Sequence, residues 1–482
     1  DAAATIAEEV FGSDPVRFHR TIEAETIEGV PHATTRTGIL VLGREAEASA
    51  KLELPASGLY LFRARAAGEQ AGPDPARMEL RMNGEAIASV DVTGDEERFA
   101  TFEATVALEA GEHRAGVAYM NNWNDPNHPD PALRGDRNLL VDRFELQLLL
   151  PDDRRDGRAY AALVPGRDAG AGWRSASLER VEAFARRAFR RPLADGELDR
   201  IEELFEAQVA AGDSVEIALR TTVEAILVSP RFIFRMEDAI EPELAARHGI
   251  ERPSAVAAPL DPHSVASRLS YFLWSSMPDD ELLRLADSGE LVGREVLESQ
   301  VRRMLADPRS RALVENFGGQ WLQTRFLREV SPDPELFPGV DRELLRDMET
   351  ETLLFFESIV REDRSVLELL DGSYTFLNER LARHYGLSGV EGPEFRRVSL
   401  EGNPRGGILT QASFLTITSN PTRTSPVKRG LWVLERLLDM PPPPPPPDTP
   451  ELSEEPEAIL SGSLRQRFEK HRADPACASC HE

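Results

Sequence analysis

The chain has only two cysteines in 482 residues. That excludes a disulfide-stapled scaffold, but it leaves the compartment open, because a Cys-x-x-Cys pair serves redox and metal chemistry equally well. Long apolar runs are missing too. No stretch reaches the roughly eighteen residues of a spanning helix, so no membrane span is expected. Basic residues are outnumbered, 56 Lys plus Arg against 83 Asp plus Glu, for a formal net charge of -27. No basic face is evident for a phosphate backbone, which argues against a nucleic-acid partner. Such a charge suits an exported, highly soluble protein, one that meets cationic partners, or a salt-adapted host, and charge alone does not choose among them. His-Glu-x-x-His, a phosphate loop and a Gly-x-Ser-x-Gly elbow are all absent, so no catalytic residue is assigned. The first residues, Asp1-Ala2-Ala3-Ala4, lack an initiator Met and the basic segment of a signal peptide. The chain is therefore expected to be a mature or trimmed product.

What is present has globular proportions, 41% hydrophobic and 29% charged, at a length that suits several domains. After a leading segment, residues 1–19, the stretch 20–150 reads as strands. Met78 to Met82 alternates and meets Asn83-Gly84, the strongest hairpin dipeptide. Ile87 to Val92 returns from that turn, and further strands are expected at 49–54, 59–66, 99–108, 113–120 and 139–150. Short strands at this spacing predict an antiparallel β-sandwich. One loop is dominated by side-chain oxygens: Asn124, Asp125, Asp130, Asp136, Asn138 and Asp142. Calcium takes six to eight oxygen ligands, which Asp and Asn supply. Turn formation explains the same residues without a metal.

The period changes after a linker, residues 151–174. Leu178, Val181, Phe184, Ala185, Ala188 and Phe189 recur at helical spacing. Further helices are expected at 197–211, 214–228, 263–274, 279–286, 294–305, 309–321, 342–361, 365–370 and 378–385, giving a mostly α-helical domain over 175–400. Glu349 and Glu357 lie on one of these helices, where solvated flanks are the simpler explanation. Residues 401–440 form a loop and a helix, 431–438. Pro441 to Pro447 then predict polyproline II, a stiff spacer, within 441–457. The last segment, 458–482, holds one more helix, 458–470, and ends in Cys477-Ala478-Ser479-Cys480-His481. Cys-x-x-Cys-His is the attachment pattern of haem c, with Cys477 and Cys480 forming thioethers and His481 the proximal ligand. A disulfide or half of a metal site is the alternative for the same pair.

Two resemblances add to this. Tyr60-Leu61-Phe62-Arg63-Ala64-Arg65, Met82-Asn83-Gly84, Gly111 with His113, Asn124-Asp125 and Asp136-Arg137-Asn138-Leu139 resemble calcium-dependent xylan-binding carbohydrate modules. The resemblance implies Asp125, Asp136 and Asp142 as calcium ligands, with Asn124 and Asn138 as weaker ones, and Trp123 as a ring that stacks on sugar or packs in the core. The insert from Asp125 to Gly135 would reshape such a site. Further on, Ala188-Phe189-Arg190-Arg191-Pro192-Leu193, Ser229-Pro230-Arg231-Phe232, Leu269 to Asp279 and Ser419-Asn420-Pro421-Thr422 before the polyproline run are similar to the cytochrome c-associated domains of unknown function expanded in planctomycetes. The resemblance covers about 300 residues. An upstream cytochrome domain and the family-like continuation after the haem motif are not in this sequence. Met277, Met440 or a histidine are the candidates here for the distal side.

Together these features lead to the expectation of an exported c-type haem protein, periplasmic or extracellular, since bacteria attach haem c outside the cytoplasm. Its chemistry is electron transfer or haem-linked redox chemistry, with a redox partner protein or further haem domain, a polysaccharide and a complex with another chain as partners. The alternative is a non-enzymatic surface or assembly protein with a calcium-stabilised binding module.

Overall fold

The structure, a computed structural model, describes residues 2–12, 16–152, 157–250, 259–442, 465, 466 and 469. It divides into two compact units, residues 1–267 with 278–293, and residues 268–277 with 294–482.

The first unit opens with a helix, α1 (Ala2–Phe11), and continues as strands. These are β1 (His19–Glu23), β2 (Ala33–Arg36), β3 (Ile39–Leu42), β4 (Ala46–Leu54), β5 (Gly58–Glu69), β6 (Ala76–Met82), β7 (Glu85–Val92), β8 (Ala100–Leu108), β9 (Gly111–Tyr119), β10 (Trp123–Asp125) and β11 (Gly135–Pro151). One sheet runs β2-β3-β11-β5-β8, with β1 and β10 also paired to β11, and the other runs β4-β9-β6-β7. Every pairing is antiparallel. This is the expected sandwich. β6 follows the period-two rule, burying Ala76, Met78, Leu80 and Met82 on one face. Asn83 and Gly84 turn the chain with φ of 53° and 85°, the double positive φ of a type I′ hairpin. Asn83 Oδ1 also accepts the Arg114 amide at 2.8 Å, tying the turn to β9.

β5 and β11 are buried on both faces. Tyr60, Phe62, Phe144 and Leu146 point between the sheets, where Phe62 and Phe144 meet edge to face at 5.7 Å. Leu59, Leu61, Leu149 and Leu150 point the other way, into a second core. That core is completed by Ala7 and Phe11 of α1 and by α2 (Arg158–Leu163), α3 (Trp173–Phe189), α4 (Glu197–Ala210) and α5 (Val215–Val228). The stretch 151–174, expected as a linker, contributes Tyr160, Leu163, Val164 and Trp173 to it. Gln147 fastens the same junction: its Nε2 donates to the carbonyls of Val209 at 3.0 Å and Asp213 at 2.7 Å. Gly212, with φ of +97°, passes so close to the His19 ring that a Cβ would collide with it.

The second unit is organised around the helix Arg342–Arg361, which Asp341 caps by accepting the Leu344 amide at 2.7 Å. Its apolar stripe is shared by two cores. Leu344, Leu345 and Met348 pack with Leu377, Leu381 and Ala412, and Phe355, Phe356 and Ile359 pack with Tyr374, Ile408, Phe414 and Trp432. Residues of 401–440 are thus part of the cores built on this helix. The helix expected over 309–321 is broken up: a 3₁₀ turn at Pro308–Ser310, a π-helical stretch at Leu313–Gly318 and a short α turn at Gly319–Trp321. Gly318 and Gly319 weaken the α form, and Gly318 lies against the Phe356 ring, where a Cβ would come within 2.8 Å. The helix expected at 365–370 is reduced to Glu368–Asp371. The one expected at 431–438 begins earlier, as Pro426–Trp432, and continues as a π-helical turn, Val433–Leu437. The polyproline run beyond Pro442, the helix expected over 458–470 apart from residues 465, 466 and 469, and Cys477, Cys480 and His481 lie outside the described residues.

Candidate functional site

The oxygen-rich loop is built by the short ladder of β10 on β11, which places Trp123 opposite Arg137, Asn124 opposite Asp136 and Asp125 opposite Gly135. Asn124 and Asp136 are exposed, and they share one face of the ladder as a direct cross-strand pair. The other expected ligands do not join them. Asp125 Oδ1 accepts the Asn127 amide at 3.1 Å in a local turn. Asn138 is buried and donates to Glu69. Asp142 lies six residues beyond Asp136 on β11, roughly 20 Å at the strand rise. It is ion-paired there with Arg65 at 2.6 Å and Arg143 at 3.0 Å. One ion therefore does not gather the five residues. Among the described residues, no group of three or more His, Cys, Asp or Glu is placed to share a metal ion.

Arg137 holds this loop from below. It is 3% exposed, and it donates from Nε to the Ala71 carbonyl at 2.8 Å and from Nη1 to the Asn121 carbonyl at 2.9 Å. Trp123 is committed to the same structure. Its Nε1 donates to the Leu133 carbonyl at 3.1 Å, His128 lies 5.7 Å away ring to ring, and the Gly72 backbone packs on the indole. Tyr119 donates to the Arg137 carbonyl at 2.8 Å, and burial pushes its hydroxyl up to about 12.

One acidic group passed unnoticed in the sequence. Glu25 follows β1, whose last residue, Glu23, pairs with Arg143 beside Asp142. Its Oε2 is buried without a hydrogen-bond partner. A buried carboxylate oxygen with no partner is short of a hydrogen-bond donor or a cation. An oxygen-seeking ion beside Glu25 fits that deficiency.

The second unit hides a different acid. The solvated flank expected for Glu349 and Glu357 on the helix Arg342–Arg361 is not found: Glu349 is buried and Glu357 half-buried, and Glu351, between them, has no exposed surface at all. Thr375 Oγ1 donates to it at 2.6 Å and Tyr385 Oη at 2.5 Å, while Tyr385 Oη accepts the Ala412 amide at 2.7 Å. Desolvation pushes the Glu351 carboxyl up to about 7, against the pull of those two donors and of the Arg405 charge. The Tyr385 hydroxyl is pushed up as well, by burial and by the neighbouring acid. Thr352 extends the polar seam to Gln411 Oε1 at 2.7 Å and Ser413 Oγ at 2.5 Å. The signal was legible in phase: residue 351 falls on the stripe through Leu344, Met348, Phe355 and Ile359. The distal candidates Met277 and Met440 both belong to the second unit. Met440 is 65% exposed.

The fold and its order define the class: a carbohydrate-module-type sandwich joined to helical domains. Four family models match, each over a segment. "Ca-dependent carbohydrate-binding module xylan-binding" matches residues 62–155. "Protein of unknown function (DUF1595)" matches 177–237, "Protein of unknown function (DUF1592)" matches 260–387, and "Protein of unknown function (DUF1588)", also called PSCyt3, matches 405–482. The set is that of the planctomycete-type cytochrome c-associated multidomain proteins of unknown function, with a carbohydrate module inserted.

Similar solved structures include the first family 36 carbohydrate-binding domain of a multidomain xylanase from the hindgut metagenome of Trinervitermes trinervoides. It is 14% identical, with 27% of this chain and 96% of that one covered and a TM-score of 0.21. The C-terminal family 6 module of a marine laminarinase from Zobellia galactanivorans is 18% identical, with coverage of 27% and 98% and a TM-score of 0.21. A family 36 module in complex with calcium and xylotriose is 19% identical, with coverage of 27% and 99% and a TM-score of 0.20. No curated protein matches the chain. Among the described residues no helix is long and apolar enough to cross a membrane.

Proposed function

We propose that this chain is an exported haem c protein that transfers electrons while its sandwich holds a polysaccharide. The observation that carries the proposal is the pattern Cys477-x-x-Cys480-His481 inside the segment that matches the PSCyt3 model, residues 405–482. Haem bound there would supply one-electron chemistry at iron. Cys477 and Cys480 would hold it covalently, and His481 would be its proximal ligand. The match of residues 62–155 to a xylan-binding module supports polysaccharide as the tether and calcium as the ion of the sandwich. For calcium we favour the neighbourhood of Glu25, just after β1, because its Oε2 is a buried oxygen without a partner. Trp123 is the ring we assign to sugar, beside the exposed pair Asn124 and Asp136.

The test is a pyridine haemochrome spectrum on the chain purified from its native host, with retention on insoluble xylan measured on the same material. Covalent haem together with retention supports the proposal. A colourless native protein would leave the non-enzymatic surface protein standing in its place.

A further inference from the structure

We infer that the second unit carries a separate binding site for an anionic sugar, with three arginines that would take its carboxylate or sulfate group. The site is a cleft of about 610 Å³ lined by Leu327, Arg328, Arg342, Leu345, Arg346 and Glu349. That volume falls within the roughly 300–1,000 Å³ of small-ligand pockets. In a chain of net charge -27, three guanidinium groups against one carboxylate in a single cleft is a local reversal of sign.

The cleft has two fixed cations and one free one. Arg328 is gripped by Glu349, with Nη2 to Oε1 at 3.0 Å and Nε to Oε2 at 3.3 Å. Arg328 is itself 70% exposed at the side chain, whereas Glu349 is 11% exposed. The buried carboxylate thus holds an exposed guanidinium in place. Arg342 donates from Nη1 to the carbonyls of Arg328 at 2.8 Å and Val330 at 3.3 Å. Arg346 is exposed, and its side chain has no partner among the described residues. Residues 342, 345, 346 and 349 lie on one face of the helix Arg342–Arg361, so Arg342 and Arg346 are a like-charged i, i+4 pair. Arg342 also stands at the positive end of the helix dipole. Both effects oppose folding, and an anion in the cleft relieves both.

The floor narrows the ligand class. Leu327 and Leu345 are buried side chains of the lining. An apolar floor under a cationic rim suits a pyranose, whose C–H face is apolar, bearing a carboxylate or a sulfate ester. The choice of a sugar rests on the polysaccharide reading proposed above; the anion site does not.

Isothermal titration of the full chain with a hexuronate oligosaccharide, a sulfated oligosaccharide and a neutral xylo-oligosaccharide tests this, alongside R346E and R346K. An anionic oligosaccharide is expected to bind the native chain, at least tenfold more weakly to R346E and within about threefold to R346K, with affinity falling as salt rises. R346E should keep native retention on neutral xylan, which belongs to the sandwich. Loss of xylan retention in the native chain with anion binding intact would refute the proposed function and leave this site standing. Equal affinity in native and R346E chains, or no anionic oligosaccharide binding, overturns the site. Displacement by sodium sulfate at the concentration of the oligosaccharide itself overturns the sugar and leaves a simple oxyanion site.

Discussion

The hydroxyl of Tyr385 donates to the carboxyl of Glu351 at 2.5 Å, inside a region where Glu351 has no exposed surface. Burial raises the Glu351 carboxyl from 4.5 to about 7. Between those values the folded chain keeps a proton that the unfolded chain has lost. The stability linked to Glu351 is therefore fully present below about pH 4.5, declines as pH rises, and is gone above about pH 7. Glu351→Gln should flatten that decline and stabilise the second unit at pH 8 by on the order of 3 kcal/mol. Thermal unfolding of both proteins from pH 4 to pH 8 measures it. Parallel curves would show that Glu351 does not titrate in this range.

Gln147 predicts how the first unit unfolds. Its amide is 1% exposed and serves the carbonyls of Val209 and Asp213. Gln147→Leu leaves both carbonyls without that donor and should cost about 1–3 kcal/mol. Because Leu59, Leu61, Leu149 and Leu150 share one core with the helices, the sandwich and helices should lose stability together. Hydrogen exchange resolved by segment checks this. Protection lost in α4 and α5 but unchanged in β5 and β11 would contradict a shared core.

Local rules made much of this fold legible, and long-range ones did not. β6, Asn83-Gly84 and β7 were readable because alternation and a double positive φ are written in adjacent residues. The helix Arg342–Arg361 was readable from the helical spacing of its apolar residues. The second core was not, because Leu59 and Leu149 look like any strand residues until a helix covers them. Glu351 was one acid among 83, and only its phase on the stripe set it apart. Asp142 as a partner of Asp136 failed on simple length: six residues of one strand keep them roughly 20 Å apart.

Trp123 separates two roles for one ring. The indole N–H holds the loop by donating to Leu133 at 3.1 Å, whereas stacking on sugar would use only the ring face. Trp123→Phe keeps a ring and removes the donor, so it should lower stability by about 1 kcal/mol and preserve xylan retention. Trp123→Ala should abolish retention. Affinity electrophoresis in soluble xylan, beside urea unfolding, reads both. Full retention by Trp123→Ala would show that the ring serves the loop alone.

Calcium offers the clearest test of the sandwich. Glu25 Oε2 is buried without a partner, two residues after Glu23, which pairs with Arg143 of β11. An ion there satisfies that oxygen and binds only the folded chain, so it must stabilise by mass action. At a hundredfold excess over its dissociation constant the gain is about 2.7 kcal/mol. Chelation should lower the unfolding temperature of the native chain and leave that of Glu25→Gln unchanged. Asp136→Asn, on the exposed ladder with Asn124, should keep the calcium response intact. If Asp136→Asn loses the response and Glu25→Gln keeps it, the ion belongs to the loop and Glu25 holds no metal.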